Sequence, residues 1–540
     1  MDDIIIKNGR SGSPGYAVGK LYIYKRDPYH APRKTVQDAE AEYLRFENAR
    51  ISTIKSLESV YNMTRKLAGS KNADIFTAQS MMLQDEDYLS LIKSNILEER
   101  KNAEWAVSDA SRHYYDFFTS TDDEALKAKA VDIKDVSNKL IRLLSDAGQN
   151  NGPEFSEPVI LAAGYISPSE LVQADESKIK GIVMREGSAY SHVVILAKSL
   201  GIPVVLGVGL PAAQSGCEAV IDGNDGKVII HPDDETVGHY RHLIDEGINE
   251  RSRLREYIGK KTQTQDGRSI ALFANIGMPS DAVKAEENDC DAIGLTRTEF
   301  IFTDRDNLPS EEDHFKAYKE IVEAVKGKPV VFRTFDLGAD KKLKAYGQVH
   351  EDNPALGMRA IRLCLTDKSI FIPQIKAILR AAMYGEAAMM FPMITSTNEL
   401  VRIREIVEEA EEELKREGKP YRKVKQGIMI ETPAAALISD ELAEMADFFS
   451  IGTNDLMQYT LALDRLNSSL APFYTPHHRA VMKMIEMTIA NAHKAGIKVT
   501  ICGELASDMS LTETFIDMGM DALSVPPGLI LKLRRHICSL

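Results

Sequence analysis

The C-terminal half of the chain alternates short apolar segments with helical patterns, and this alternation limits the folds open to it. Eight candidate strands follow Lys261: residues 270–275, 292–295, 329–334, 388–393, 427–431, 448–452, 498–502 and 522–525. Most are separated by helical segments such as the charged, apolar-striped stretch 400–418. Eight strands joined in this way predict a (β/α)8 barrel.

Residues suited to phosphate and metal chemistry fall at, or soon after, the carboxyl ends of these strands. They are Arg297, Arg333, Arg359, Glu431, Asn454, Asp455, Arg465 and Cys502. Strand ends form the ligand-binding mouth of such a barrel. Guanidinium forks suit phosphate and carboxylate, and two carboxylates suit Mg²⁺. Any one arginine is more typical of a surface ion pair, but their recurrence predicts a magnesium-dependent site for a small phosphorylated carboxylate.

The N-terminal half mixes strands with a long helical stretch. A strand at 17–24 precedes polar helices from Thr35 to about Ala147, and β character returns at 159–163, 181–184, 203–209 and 218–232. One strand needs neighbours, so we expect it to pair with the later strands in a small α/β unit interrupted by a helical bundle. A charged helical stretch after Asp233 then connects this unit to the barrel.

His192 lies where a loop enters a helix in the N-terminal half. Apolar residues recur at helical spacing after it, Gly201 ends the helix, and Pro203 starts a strand. Helix entry points backbone N–H groups outward at the positive end of the dipole, which stabilises an anion. An imidazole there could carry a phosphoryl group. A lone histidine is more often an ordinary helix-start residue, and only the rest of the chain favours the functional interpretation.

Composition excludes several functional classes. Across 540 residues the formal net charge is −14, which argues against a nucleic-acid or anionic-membrane surface and fits a partner with a basic face. The chain has no run of about eighteen apolar residues and no signal-peptide pattern at its start, so we expect a cytoplasmic protein without direct membrane insertion. Five scattered cysteines without a CxxC pair indicate neither a disulfide framework nor a zinc site.

Several motifs are those of a known family. They are SPGYAVGK from Ser13, GLTRTEFIFTDRD from Gly294, FRTFDLGADKKL from Phe332, DNPALGMRAIRL from Asp352, GIMIETPAAA from Gly427, DFFSIGTNDLMQYTLALDR from Asp447 and CGELASD from Cys502. The chain resembles the Enzyme I family of the bacterial sugar phosphotransferase system along almost its whole length. The resemblance implies transfer of phosphate from phosphoenolpyruvate to His192, and from there to the carrier protein HPr.

The resemblance also implies roles for individual residues. Arg297, Arg333 and Arg465 would hold phosphoenolpyruvate, with support from Arg359 and Lys341. Glu431 and Asp455 would bind Mg²⁺, Asn454 would contact phosphate, and Cys502 would protonate the enolate carbon of departing pyruvate. The bundle would dock HPr, with Gln79, Met82, Glu86 and Asp87 as candidate contacts, and the barrel would form a homodimer.

The implied domains are a phosphohistidine α/β domain (1–33 plus 148–232), an inserted helical bundle (34–147), a helical linker (233–262) and the barrel (263–540). The helical stretch 74–100 combines methionines with acidic residues, a pattern typical either of an adaptable docking surface or of core filling beside a solvated face.

The sequence departs from the family around the histidine. The family usually has Gly-Gly-x-Thr-Ser-His, then a small or hydroxyl residue, and an arginine six residues after the histidine. This chain has Gly187, Ser188, Ala189, Tyr190 and Ser191 before His192, then Val193 and Lys198. One alternative is therefore a regulatory or specialised paralogue that serves a different carrier. A dikinase or synthase relative is disfavoured because residues 1–147 offer no nucleotide-binding domain or Gly-rich phosphate loop.

Overall fold

A computed structural model describes residues 4–24, 31–68, 70–120, 124–145, 155–187, 191–211, 214–302, 307–336, 351, 353–465, 467–473, 475 and 477–540. The chain divides into two compact units, Met1–Asn249 and Glu250–Leu540. Within the described residues, no helix combines the length and the apolar composition needed to cross a membrane.

The first unit contains an eight-stranded sheet. Its strands are β1 (Ile5–Asn8), β2 (Arg10–Ser13), β3 (Tyr16–Tyr24), β4 (Val159–Ala163), β5 (Ile179–Met184), β6 (Val204–Leu206), β7 (Glu218–Asp222) and β8 (Lys227–Ile230), in the order β1-β8-β7-β3-β4-β5-β6-β2. Strand β3 pairs in parallel with β4 and antiparallel with β7. The predicted pairing of the first long strand with later strands is confirmed, whereas β1 and β2 were not predicted.

A helical bundle lies between β3 and β4 in the chain. Its helices are α1 (Ala39–Ala68), α2 (Ser70–Met82), α3 (Glu86–Leu97), α4 (Ala103–Thr119) and α5 (Glu124–Leu144). Phe46, Ile92 and Val107 are fully buried among these helices. Helices α6 (Pro168–Gln173) and α7 (His192–Ser199) follow within the sheet region.

Helix α8 (Asp234–Arg255) contains the boundary between the two units. It is highly charged, as expected of a connector, but it also has a short apolar face. Val237 packs with Val18, Val220 and Ile229 of the sheet, and Tyr240 packs against the same cluster. The start of the connector is therefore anchored to the first unit.

The second unit is a closed barrel of eight parallel strands. They are β9 (Ala271–Ile276), β10 (Ala292–Arg297), β11 (Val330–Arg333), β12 (Ala387–Phe391), β13 (Lys425–Ile430), β14 (Phe448–Gly452), β15 (Lys498–Cys502) and β16 (Ala522–Val525), and β16 pairs with β9 to close the ring. All eight predicted strands are present, with ends shifted by at most two residues, so the predicted (β/α)8 barrel is confirmed.

Helices cover the outside of the barrel. They are α9 (Pro279–Glu287), α10 (Glu311–Ala324), α11 (Ile361–Thr366), α12 (Lys368–Ala381), α13 (Thr397–Arg416), α14 (Pro433–Leu437), α15 (Ser439–Ala443), α16 (Thr453–Leu461), α17 (Arg479–Lys494), α18 (Thr512–Asp517) and α19 (Ile530–Ser539). Their apolar faces bury one continuous core with the strands. That core fixes the strand ends from which the candidate site is built.

Candidate active site at the mouth of the barrel

A cavity of about 640 Å³ opens at the carboxyl ends of the barrel strands. The lining includes eight of the residues predicted for this site, of which seven are Arg297, Arg333, Arg359, Asn454, Asp455, Arg465 and Cys502. Glu431, also predicted, lines it as well, together with Glu299, Asp336 and Glu504. The structure therefore brings the polar residues of successive strand ends into one place. Lys341 lies outside the described residues.

Two buried arginines in this cavity are held by acidic side chains. Arg333, at the end of β11, lies 2.7 Å from Glu299 and 2.8 Å from Asp336. Arg359 lies 2.9 Å from Asp336 and 3.5 Å from Asp455. Burial alone would raise the pKa of Asp336, but the two neighbouring guanidiniums outweigh it and hold that pKa below its ordinary value. Asp336 therefore stays ionised and fixes both arginines.

These arginines retain unused hydrogen-bonding capacity. The Nε atoms of Arg333 and Arg359 are buried and have no hydrogen-bond partner among the described residues. Arg297 is exposed and forms no ion pair with any described residue, and Arg465 reaches Asp455 only at 3.8 Å. Unsatisfied buried donors are costly. A ligand with phosphate and carboxylate oxygens would satisfy donors of this kind.

Glu431 and Asp455 offer a carboxylate pair. Glu431, directly after β13, is 1% exposed and accepts a hydrogen bond of 2.6 Å from the backbone N–H of Met393. Burial and repulsion from Asp336 and Asp455 raise the pKa of Glu431 well above its ordinary value. Asp455 Oδ1 is buried and accepts no hydrogen bond from a described residue. A cation would offset this repulsion, so the donor set fits a divalent metal.

The pair does not form a complete metal site by itself. Within the described ranges, no group of three or more His, Cys, Asp or Glu side chains has the arrangement of a metal centre. Mg²⁺ commonly takes one or two protein carboxylates and completes its octahedron with water and substrate oxygens. The geometry therefore fits a cation bound together with a phosphorylated substrate.

Cys502, the last residue of β15, is buried at the bottom of the mouth. The hydroxyl of Ser450 donates a hydrogen bond to its sulfur at 3.4 Å, and the thiol lies 3.5 Å from the carbonyl oxygen of Ile451. Burial raises the pKa of the Cys502 thiol above its ordinary value, although the hydrogen bond from Ser450 opposes this. The sulfur therefore keeps its proton at neutral pH, as a proton donor requires.

Asn454 is positioned by its exchange of hydrogen bonds with Glu504. Its Oδ1 accepts from the Glu504 N–H at 3.0 Å, and its Nδ2 lies 3.4 Å from the Glu504 carboxylate. Gly503, between Cys502 and Glu504, has φ +99°, and a Cβ there would clash with Thr453 Oγ1 and lie 3.0 Å from Asn454 Oδ1. A glycine thus gives Asn454 the room it needs beside the thiol.

His192 begins helix α7 in the first unit, as predicted from the sequence. The expected helix end is confirmed by Gly201 with φ +70°, and the strand after Pro203 by β6. Val193 is buried and Lys198 is exposed, while Tyr190 lies outside the described residues. Ser191 Oγ is buried and has no partner among the described residues. The backbone of His192 is therefore placed at a helix N-terminus, where a phosphoryl group would be stabilised.

The four candidate docking residues differ in exposure. Gln79 is only 2% exposed and hydrogen-bonds Asp132 inside the bundle, so its side chain is unavailable to a partner in this structure. Met82 is half-buried and packs against the bundle core, whereas Glu86 and Asp87 are exposed in the first turn of α3. Helical periodicity alone did not distinguish the core side of α2 from its surface.

Sequence reasoning missed Glu299 and Asp336. Both lie within the family motifs, yet neither was predicted to belong to the site, because a ligand alone was expected to neutralise the arginines. Each is an acid close in sequence to a cavity arginine: Glu299 follows Arg297 by two residues, and Asp336 follows Arg333 by three. That spacing was the available signal.

Comparisons with known proteins agree with this architecture. Three family models match: PEP-utilising enzyme, N-terminal, over residues 8–129; the mobile domain over 155–226; and the PEP-binding domain over 251–540. A phosphoenolpyruvate-protein phosphotransferase of Bacillus subtilis is 37% identical over 98% of this chain and 94% of its own length. The proteins of the same name from Priestia megaterium and Listeria innocua are 37% and 36% identical, over 98% of this chain and 93% of theirs. The chain belongs to the phosphoenolpyruvate-protein phosphotransferase family.

Proposed function

We propose that this protein is the phosphotransferase that moves the phosphoryl group of phosphoenolpyruvate first to its own His192 and then to a histidine of an HPr-type carrier. The observation that carries this proposal is the cavity at the barrel mouth. Its arginines suit the phosphate and carboxylate of phosphoenolpyruvate, and its buried thiol suits protonation of the departing enolate.

In the first half-reaction, an imidazole nitrogen of His192 attacks phosphorus and the bond between phosphorus and the enol oxygen breaks. The electron pair remains on the departing enolate, whose methylene carbon takes the proton of Cys502 to give pyruvate. Arg297, Arg333 and Arg465 hold the transferring phosphate and the substrate carboxylate, and they stabilise the charge that develops on the phosphoryl oxygens. In the second half-reaction, phosphohistidine passes the group to the carrier.

Mg²⁺ is the metal we assign to this site. Glu431 and Asp455 would hold it, and when bound it neutralises charge on the phosphate oxygens. The support is the donor set: two acidic side chains in one cavity, where burial and the neighbouring charges of Asp336 and Asp455 raise the pKa of Glu431.

The remaining assignments extend the proposal to partners and domains. Glu86 and Asp87, exposed at the start of α3, would contact the carrier's basic face together with Met82. Residues 1–33 with 148–232 would form the phosphohistidine domain, 34–147 the docking bundle, 233–262 the linker and 263–540 the substrate-binding domain. The barrel would form a homodimer, as the family resemblance implies, and sedimentation would test it. The cytoplasmic location stays a prediction.

The test is isotope exchange between labelled pyruvate and phosphoenolpyruvate with Mg²⁺ and no nucleotide. Exchange is expected from the wild-type chain, because the first half-reaction is reversible and needs no nucleotide. Dependence on added nucleotide would contradict the proposal and favour a dikinase or synthase reaction.

The departures around His192 favour a second candidate, a specialised paralogue. The residue after His192 is a buried valine, Val193, and a valine lacks the hydroxyl that the family commonly has there. Incubation of the phosphorylated protein with a panel of carriers separates the two. Rapid labelling of HPr supports the general phosphotransferase, and labelling of only another carrier supports the paralogue.

A further inference from the structure

Gln374 is a fully buried amide on the outer helix α12, away from the lining of the cavity. Its Oε1 accepts a hydrogen bond of 2.8 Å from the backbone N–H of Phe335. Its Nε2 donates to Thr298 Oγ1 at 3.0 Å and to the Tyr318 hydroxyl at 2.9 Å. The orientation of the amide is fixed, because the Phe335 N–H can only donate and must therefore face the oxygen.

These partners belong to the ends of two adjacent barrel strands. Thr298 directly follows Arg297 at the end of β10, and its hydroxyl donates to the carbonyl oxygen of Arg333 at 2.9 Å. Phe335 follows Arg333 by two residues and immediately precedes Asp336. One amide thus ties together the backbone beside Arg297, the backbone beside Arg333, and the residue next to the acid that holds Arg333 and Arg359.

The hydrogen-bond network of Gln374 continues through Tyr318 to His314. The Tyr318 hydroxyl accepts from Gln374 and lies 3.0 Å from His314 Nδ1, so each donor and acceptor of the amide is directed to a specific partner. Thr298, Tyr318 and Gln374 are all fully buried. Satisfied buried networks specify one geometry, and loss of one member leaves the others unpaired.

We propose that Gln374 is a positioning residue for the substrate site. Arg297 and Arg333 are register partners on the paired strands β10 and β11, and Gln374 holds the residues that follow them, which fixes how the two arginine side chains enter the cavity. This role rests on the proposed binding of phosphoenolpyruvate at the barrel mouth. Productive geometry tolerates little displacement, and a shift of about 1 Å can cost up to about a hundredfold in rate.

Three near-isosteric variants test this. Gln374→Met removes every hydrogen bond of the amide, and Thr298→Val removes the hydroxyl that links it to Arg333. Tyr318→Phe is the control, because it removes one hydrogen bond of Gln374 and a contact with the Thr298 hydroxyl, but it keeps the bonds of Gln374 to Thr298 and Phe335. We expect the first two to lower kcat/KM for phosphoenolpyruvate by about tenfold or more, mainly through KM, and the control to stay within about twofold.

Two further measurements distinguish positioning from general destabilisation. Gln374 and Thr298 belong to the same chain of hydrogen bonds. The double variant should therefore lose no more kcat/KM than the more impaired of the two single variants. Transfer from purified phosphoprotein to the carrier, a step without phosphoenolpyruvate, should keep its wild-type rate in all variants.

The role would be overturned by any of three results. These are an unchanged kcat/KM in Gln374→Met, a double variant whose loss in kcat/KM is the product of the two single losses, and a loss in Tyr318→Phe equal to that in Gln374→Met. If Gln374→Met does not fold, Thr298→Val alone decides it. A wild-type protein that phosphoenolpyruvate does not phosphorylate would instead refute the proposed function.

Discussion

The carboxylate of Asp336 lies 2.8 Å from the guanidinium of Arg333, and both side chains are almost completely buried. The same carboxylate also holds Arg359 at 2.9 Å. One acid therefore supplies internal charge compensation for two of the arginines at the barrel mouth. Ion pairs within the protein therefore orient both arginines, so substrate meets donors that are already in place.

Asp336→Asn should destabilise the barrel unit. The change keeps the side-chain shape but leaves two buried cations less compensated, and we expect a loss of about 3 kcal/mol in the free energy of unfolding. Phosphoenolpyruvate should raise the melting temperature of the variant more than that of the wild type, because an anionic ligand replaces part of the lost charge. The measurement is thermal unfolding with and without phosphoenolpyruvate.

Asp517→Asn provides the control for this change. Asp517 pairs with Arg268 in a largely exposed ion pair, so its loss should cost less than about 1 kcal/mol. Equal effects of the two variants would show that the buried position of Asp336 does not matter.

Cys502→Ala should slow pyruvate formation by about a hundredfold or more, because it removes the proton donor. Burial raises the pKa of the Cys502 thiol above its ordinary value of 9.0, so the donor form should persist from neutral pH to beyond 9 and be lost only at higher pH. The check is deuterium incorporation into the methyl group of pyruvate as a function of pH. A wild-type rate that falls with a midpoint near neutral pH would assign the proton to another group.

Glu431→Gln should separate stability from metal binding. Glutamine keeps the acceptor for the Met393 N–H but removes a charge that is buried beside Asp336 and Asp455, so the melting temperature without ligand should equal or exceed that of the wild type. The further rise in melting temperature that Mg²⁺ and phosphoenolpyruvate produce together in the wild type should disappear. Glu504→Gln, at the same cavity, should retain that rise; its loss in both variants would argue against a specific metal ligand.

Asp132 gives the helical bundle a pH-dependent stability. Burial and repulsion from Asp135 raise its pKa to about 7, from 3.8 ordinarily. The folded state thus holds this proton more tightly than the unfolded chain, and stability falls as pH rises from about 4 to about 7. Above that window the buried charge costs roughly 4 kcal/mol.

Asp132→Asn should therefore stabilise the first unit at pH 8 by more than it does at pH 5, as measured by thermal unfolding. Asp116→Asn, at an exposed position of α4, is the control and should show no such difference. A gain that is the same at both pH values would mean that Asp132 does not change its protonation state in the folded protein between pH 5 and pH 8.

Sequence periodicity and strand-end position were enough to predict the barrel and to predict which residues line the cavity at its mouth. Eight apolar segments became eight strands because most of their residues are buried in the barrel, and Arg297, Arg333, Glu431 and Cys502 followed from their positions at strand ends. The ion pairs within the site could not be predicted from the sequence. Asp336 binds both Arg333 and Arg359, and Arg359 lies 23 residues further along the chain, so only the folded structure brings them together. Gln374 was missed for a different reason: the sequence does not show whether a polar residue on an amphipathic helix faces the core or the solvent.

The most direct measurement is the location of the phosphoryl group after incubation with labelled phosphoenolpyruvate and Mg²⁺, by mass spectrometry at neutral or alkaline pH. We predict one acid-labile phosphoryl group on His192 that a subsequently added carrier removes, and an unlabelled but folded His192→Ala variant. Label on a different residue, or undiminished labelling of His192→Ala, would contradict the central claim.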